Sequence, residues 1–497
     1  MITNEKVSQI IMQHLADITG YDKLEISYTS SLVNDLGLDS MMIMDFHRLL
    51  LMDFPEIKTV DLEVVFQQED TTVKDIALLV RQATGMDVDT GSRSIIEDFP
   101  EIHDFHQFLQ TKKTVPYFRK SEGIASNKII IDGQVLLNFS TYNYLGLNGD
   151  SEINETVMDA ISRHGTSVSG SRLLCGEIGI HRELERKIAD FIGTEDAIIQ
   201  VGGHSTNVNT IGNIVNEEDL ILHDALSHNS IIQGALLSRA KRKPFKHNDM
   251  QHLEEELKKL RTKFRRTLII AEGVYSMDGD ICNLPELIRL KEKYNAILMV
   301  DEAHSIGTIG RNGRGVTSHF GINPEKVDIL MGTLSKSLNS CGGYIAGNKK
   351  FINYLKYNSP GFIFSVGMTP SNAAAALASL MICERDGYLF EQLKTNHTHF
   401  LEGLKKLGAD TGESSRTPII PLITRDSDKA LEFAESLFQQ GVNAMPIVYP
   451  AVKESEARIR FFISAAHTIE DLDASLEIIR KNMPILTSEK DILTINP

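Results

Sequence analysis

The sequence predicts a small all-α module, then a large α/β domain on a mostly parallel sheet, then a smaller α+β region. Three observations carry that reading. Residues 1–90 hold 16 Asp/Glu against 6 Lys/Arg, a net −10, whereas the other 407 of the 497 residues hold 51 against 45, a net −6. The acidic stretch places its apolar residues at helical spacing. From about Lys128, short β-rich runs alternate with helical stretches, the pattern of an α/β fold. A chain this long exceeds one compact core. We therefore expect segments at residues 1–84, 85–113 (a linker), 114–383 (the large domain with an N-terminal arm) and 384–497.

In the acidic module, Glu5 to Ile18 carries Val7, Ile10, Ile11, Leu15 and Ile18 at helical spacing. A polar loop follows to Asn34. In Asp35-Leu36-Gly37-Leu38-Asp39-Ser40, Asp39 or Ser40 caps a helix running to about Leu51. Thr72 to Gln82 reads as a last helix, and the module as a four-helix bundle. Thr84 to Asp98 is aperiodic, as expected of a linker. Lys128–Ile131 and Val135–Phe139, around Asp132-Gly133-Gln134, predict a hairpin. Buried strands are expected at Ala197–Val201, Leu220–His223, Thr267–Ala271, Ala296–Val300, Ile329–Met331 and Tyr344–Ala346. From about Glu384 we expect a helix, short strands at Ile419–Leu422 and Arg460–Ile463, and a final helix at Ile469–Lys481.

Composition narrows the function classes. With 42% hydrophobic and 24% charged residues the chain suits a folded globular protein, not a disordered or fibrous one. The net charge of −16 disfavours nucleic acid as a partner. The weakly polar stretch at Ala373–Cys383 falls short of the ~20 residues that span a bilayer. Met1–Ile11 lacks the basic and apolar blocks of a secretory signal. Cys175, Cys282, Cys341 and Cys383 are dispersed, so neither a metal site nor a disulfide framework is expected. The expected location is the reducing cytoplasm.

Chemistry gathers where the expected strands stop. Ile297-Leu298-Met299-Val300 runs into Asp301-Glu302-Ala303-His304, Ile329-Leu330-Met331 into Gly332-Thr333-Leu334-Ser335-Lys336, and Leu268-Ile269-Ile270-Ala271 into Glu272-Gly273-Val274-Tyr275-Ser276. Ligands bind at the carboxyl ends of strands in open α/β sheets. An acid, a lysine and hydroxyls there suit a cationic heteroaromatic cofactor bearing an aldehyde and a phosphate. Singly, each has a plainer reading: an Asp after a strand is often a turn residue, and a lone lysine is usually solvated.

The size, acidity, helix order and Leu36-Gly37-Leu38-Asp39-Ser40-Met41 motif of the first module resemble the acyl carrier protein family. That resemblance implies 4′-phosphopantetheine on Ser40, attached by a phosphopantetheinyl transferase and charged by an acyl-loading enzyme. Asp39 and Asp45 would then meet basic patches on partners. Met41, Met42, Met44 and Met52 would supply an adaptable apolar face or core packing.

The rest of the chain, from about Val115 to Ile479, resembles the α-oxoamine synthases, pyridoxal-phosphate enzymes of the type I aminotransferase fold. Serine palmitoyltransferase and 8-amino-7-oxononanoate synthase are members. Six segments carry the likeness: Asn138 to Leu147; His164-Gly165-Thr166 with Ser169-Gly170-Ser171-Arg172; Glu272 to Gly279; Val300 to Ser305; Thr333 to Ser337 with Gly342-Gly343; and Ser464 to Thr468. The resemblance implies that Lys336 bonds the cofactor and shuttles the substrate's α proton, while Asp301 pairs with the ring nitrogen. It implies that His304 reaches the ring hydroxyl and His228 stacks on the ring face. Gly203, His204 and Thr333 would hold the phosphate. Ser276 and Glu272 would lie beside cofactor or substrate. Arg460 would clamp the amino acid's carboxylate, with Asn143 near the same carboxylate or the ring.

The sequence departs from the family at His204, where an aromatic residue is usual, at Asn339, commonly glycine, and at Val448 and Ala451, where relatives often supply Arg or Thr. The stretches Thr141 to Tyr144 and His164 to Arg172 lean toward serine palmitoyltransferase. The implied reaction is a decarboxylative condensation of serine, glycine or alanine with an acyl thioester on the chain's own carrier, in a homodimer. The alternatives are use of free acyl-CoA with the carrier as a docking module, simple amino transfer, and a non-catalytic subunit.

Overall fold

The computed structural model describes residues 4–23, 26, 27, 29–59, 71–83, 102, 105, 115–414 and 416–486. The expected linker at residues 85–113 lies almost wholly outside them. The acidic module shows helices α1 (Asn4–Thr19), α2 (Ser40–Asp53) and α3 (Val73–Ala83), with a 3-10 turn at Pro55–Thr59. Asp39 proves to be the cap of α2: its Oδ1 accepts from the Met42 amide at 2.7 Å. Thr72 and Asp75 form a reciprocal cap ahead of α3. Val7, Ile11, Leu15, Phe46, Leu50, Ile76 and Val80 are buried in a core belonging to this module. Among the described residues it has three α-helices, and residues 60–70 lie outside the described residues.

Strands β1 (Ser121–Glu122), β2 (Lys128–Ile131) and β3 (Gln134–Asn138) open the larger part. The hairpin loop is shorter than expected. Ile131 pairs with Gln134, so Asp132 and Gly133 alone turn the chain, at φ +49° and +75°. Two positive φ values match the right-handed twist of the strands they join.

Helices α4 (Ser151–His164) and α5 (Gly179–Ile192) precede a seven-stranded sheet. It comprises β4 (Asp196–Gln200), β5 (Leu220–Asp224), β6 (Lys241–Phe245), β7 (Thr267–Glu272), β8 (Ile297–Asp301), β9 (Ile329–Thr333) and β10 (Gly343–Gly347). The order is β4-β10-β9-β8-β7-β5-β6, with β10 antiparallel to both neighbours and the other pairs parallel. Its strands are apolar on both faces, as a sheet covered by helices on both sides requires. Helices α6 (Gly203–Ile214) and α7 (Asn229–Ser238) follow β4 and β5 directly. Strand β6 escapes the sequence reading because Lys241-Arg242-Lys243-Pro244 looks nothing like a buried strand. Its charges and proline are tolerated because it is the sheet's edge.

Helix Pro370–Arg385 runs through Glu384, and helix Tyr388–Lys406 follows. Then β11 (Ile419–Ile423), β13 (Met445–Ile447) and β14 (Arg458–Phe462) form an antiparallel sheet in the order β11-β14-β13. The two-residue strand β12 (Val442–Asn443) instead pairs in parallel with β3. Helices Ser427–Gln439 and Ile469–Asn482 cover this sheet over Phe400, Phe433, Phe461 and Leu472. Among the described residues no helix is long and apolar enough to cross a membrane, and no His/Cys/Asp/Glu group is arranged to hold a metal.

Candidate active site

Parallel strands β5, β7, β8 and β9 end on the same edge of the sheet, which brings together residues far apart in sequence. Glu272 closes β7 and pairs with Asp301, the last residue of β8. Lys336 follows β9 by three residues. It is half-buried, and its Nζ lies 5.6 Å from the centre of the Tyr142 ring. Burial lowers the Lys336 pKa to about 8, against the pull of Asp301 and Glu272 and with a push from Arg460. The amine has no hydrogen bond or ion pair among the described residues, so it is free to react.

Asp301 is buried and held at both oxygens: Oδ1 accepts from the Ala303 amide at 2.9 Å, and Oδ2 from Asn207 Nδ2 at 2.7 Å, each with a lone pair to spare. Asn207 also donates to Ser230 Oγ at 2.9 Å, and its own Oδ1 is buried without a partner. Sequence reasoning missed Asn207. It sits one helical turn beyond Gly203, on the face of α6 that meets the sheet, and that spacing is the only signal it offers.

Glu272 is buried, and burial followed by the charge of Asp301 raises its pKa well above the usual range. Its Oε1 accepts from the His228 amide at 2.5 Å. His228 caps α7, with Nδ1 2.7 Å from Ser230 Oγ. Burial lowers its pKa, and nearby cations add to the effect. His304 is neutral for the same reasons, pushed well below the usual value first by burial and then by Lys336 and Arg460. Tyr144, whose hydroxyl burial keeps protonated, lies 2.9 Å from His304 Nδ1. With that hydroxyl donating, the imidazole proton sits on Nε2.

Across this edge, β14 contributes Arg460. Its Nη1 donates to the Ser276 carbonyl at 2.9 Å, and its guanidinium carbon lies 4.5 Å from the centre of the Phe462 ring. Its Nε is buried without a partner, a donor left over for a ligand. The N-terminus of α6 lies against Thr333: a Cβ on Gly203 would come 2.6 Å from Thr333 Oγ1. The amides that open a helix lack partners within it and attract anions. His204 is exposed at this end, with its ring 6.1 Å from that of His228.

Asn143 ties a turn together: Nδ2 donates to the Ala125 carbonyl at 3.3 Å and Oδ1 accepts from the Asn148 amide at 3.3 Å. Asn339 stands at φ +49°, a left-handed conformation that asparagine tolerates where glycine is common. Val448 packs against the core of the C-terminal sheet and Ala451 is exposed, so neither brings a polar group.

The residues present fit a ring that carries an aldehyde, a basic nitrogen and a phosphate. A buried carboxylate held by Asn207, an unpartnered amine of lowered pKa and an open helix N-terminus beside a hydroxyl supply the complementary groups.

Comparisons with known proteins agree. The model of the family described as a phosphopantetheine attachment site matches residues 9–80, and that of aminotransferase class I and II matches residues 134–479. The 8-amino-7-oxononanoate synthase of Thermoanaerobacter pseudethanolicus is 41% identical over 386 residues, 76% of this chain and 97% of that protein. The serine palmitoyltransferase of Sphingobacterium spiritivorum is 40% identical over 369 residues, 74% and 92%. Among solved structures, Sphingomonas wittichii serine palmitoyltransferase is similar with a TM-score of 0.75 and 29% identity, over 80% of this chain and 99% of that one. A serine palmitoyltransferase from S. paucimobilis with bound PLP–myriocin aldimine scores 0.74 at 29% identity, over 78% and 97%.

Proposed function

The chain belongs to the class I and II aminotransferase family as an α-oxoamine synthase, a pyridoxal-phosphate acyltransferase led by a phosphopantetheine attachment domain, and we propose that it condenses an amino acid with an acyl thioester held on its own carrier. In this reading the amino acid is serine, glycine or alanine. Its α-carbon bonds to the acyl carbon, the carrier thiol leaves, the carboxylate departs as carbon dioxide, and a 2-amino ketone is released. When bound, pyridoxal phosphate supplies an electron-withdrawing ring that spreads the negative charge left on the α-carbon.

The chain's own residues do the rest. Asp301 holds the ring nitrogen, oriented by Asn207. His304 would donate a hydrogen bond from Nε2 to the oxygen of the ring hydroxyl, and His228 would cover the ring face. The Gly203 and His204 amides and the Thr333 hydroxyl take the phosphate. Lys336, neutral in part at pH 7 because it is buried, bonds the cofactor and holds the α proton. Arg460 binds the substrate carboxylate, a bidentate task suited to guanidinium. Glu272 and Ser276 border the pocket. Ser40 carries the arm, a phosphopantetheinyl transferase and an acyl-loading enzyme act on it, and the protein works as a cytoplasmic homodimer.

The observation that supports this reading most is Arg460, with a buried and unpartnered Nε, facing the strand ends that carry Lys336 from the C-terminal sheet. Tethering would hold the thioester near ~1 mM for a linker that spans the two sites. The test is intact-protein mass spectrometry of the loaded carrier incubated with a panel of amino acids. Loss of the acyl group only in the presence of one of these amino acids supports the proposal, and an acyl group stable to all of them overturns it. A second reading, free acyl-CoA as donor, draws on the curated relatives, which match almost end to end without the first module. It requires Ser40→Ala to turn over acyl-CoA as fast as wild type.

A further inference from the structure

The acidic module touches the catalytic part at edge strand β6, where the sequence reads Lys241-Arg242-Lys243-Pro244. Arg242 is only 2% exposed. Its guanidinium donates to the Ile18 carbonyl in the last turn of α1, where the helix dipole favours a cation. Its Nη1 lies 3.8 Å from the sulfur of Met42, in the first turn of α2. Asp39, the cap of α2, lies half-buried beside it, and each charge steadies the other against desolvation. The ammonium groups of Lys241 and Lys243 lie 5.8 and 5.1 Å from the centre of the Tyr21 ring.

Two glycines let the surfaces close. A Cβ on Gly37 would come 2.8 Å from Pro244 Cγ, and one on Gly20 would come 2.9 Å from the Arg242 carbonyl oxygen. A basic strand therefore meets an acidic module, with one buried arginine as the anchor. The carrier residues it covers, Asp39 and Met42, flank Ser40.

We propose that β6 is the resting dock of the chain's own carrier, and that docking covers the Asp39 and Met42 side of the start of α2, which a phosphopantetheinyl transferase and a loading enzyme must reach, while Met41 and Met44 stay exposed. This rests on Ser40 being the attachment residue. Modification and loading then act on the undocked fraction alone, so docking lowers their apparent rate by that fraction. The carrier is shielded at rest and must leave β6 to be charged.

The full-length chain tests this directly. A phosphopantetheinyl transferase and CoA are added, the Ser40 hydroxyl takes the phosphopantetheine group, 3′,5′-adenosine bisphosphate leaves, and the mass gain is followed over time. Arg242→Ala and Tyr21→Ala are compared with wild type, and hydrogen exchange is read across residues 241–245. The expected initial rate rises by about fivefold or more in both variants, the gain from releasing a form that holds about four-fifths of the molecules. Exchange at 241–245 quickens with it. Equal rates and unchanged exchange in all three proteins overturn the dock alone. No mass gain in any of them overturns the dock and the carrier reading together. Retained absorbance of cofactor bound at Lys336 shows that each variant is folded, and Tyr21→Ala carries the test if Arg242→Ala is not.

Discussion

The amine of Lys336 offers the sharpest test of the site. An unburied lysine near pKa 10.5 is about 0.03% neutral at pH 7, whereas one at about 8 is roughly 9% neutral, a gain of about 300-fold in the form that attacks an aldehyde. Two charges tune that value in opposite directions. Asp301 raises it and Arg460 lowers it. In protein stripped of cofactor, the rate at which Lys336 captures pyridoxal phosphate should climb about tenfold from pH 6 to 7 and level off above about pH 8.5. Arg460→Met removes a repelling cation and moves the midpoint up. Asp301→Asn removes an attracting anion and moves it down. Stopped-flow absorbance across a pH series reads the midpoint independently of the amplitude, which cofactor affinity also affects. A midpoint near 10.5 in wild type, or a shift of the same sign in both variants, would refute the electrostatic account.

Asn207→Ala deletes the 2.7 Å bond to the Asp301 carboxylate and leaves a buried oxygen without its donor. A bond to a charged group contributes about 1.5–3 kcal/mol, so the dissociation constant for pyridoxal phosphate, read by absorbance titration, should rise roughly 10- to 100-fold. His247 bridges Asp224 at 2.9 Å and Asp280 at 3.1 Å, and its ring centre lies 4.5 Å from that of Tyr275 in the loop after β7. Burial lowers its pKa, but the two carboxylates win and raise it to about 10. Because the folded value exceeds the unfolded one, this stabilisation is complete below about pH 6.5 and fades as pH rises through about 10. Melting curves should show His247→Gln several degrees below wild type at pH 6.5, with the gap closing toward pH 10.

The sheet was largely legible because its parallel strands are buried on both faces and so read as short apolar runs that stop at chemistry: Asp301, Glu272, Thr333 and Lys336. The exception, β6, stands at the edge, where solvent and the carrier accept charges that an inner strand excludes. A helix start at Asp39 or Ser40 and a hairpin around Asp132-Gly133 were legible from local backbone preference, while the choice of Asp39 as cap and the two-residue turn came only with the structure. Asn207 was not legible, because an asparagine inside a helix gains its meaning only when α6 is laid against β8. The neutral state of His304 and the raised pKa of Glu272 come from burial, which no spacing reveals. Asn143 lies in a matched motif, yet its amide is drawn to Ala125 by a turn that forms only in three dimensions.

The hairpin through which the chain enters its catalytic part is laced to the C-terminal sheet region. Strand β3 pairs with β12, the Phe139 amide bonds the Asn443 carbonyl at 2.8 Å, and Phe139 accepts from the Phe462 amide at 2.9 Å. Phe139 stacks on His467 at 4.7 Å, while Arg119 pairs with Glu435 and lies over the Phe438 ring. The leash of the carrier is thus moored to the lobe that bears Arg460, not to the lobe that bears Lys336. Any rocking of that lobe upon a bound amino acid would drag the mooring along, and so couple the grip on one substrate to the slack given to the other.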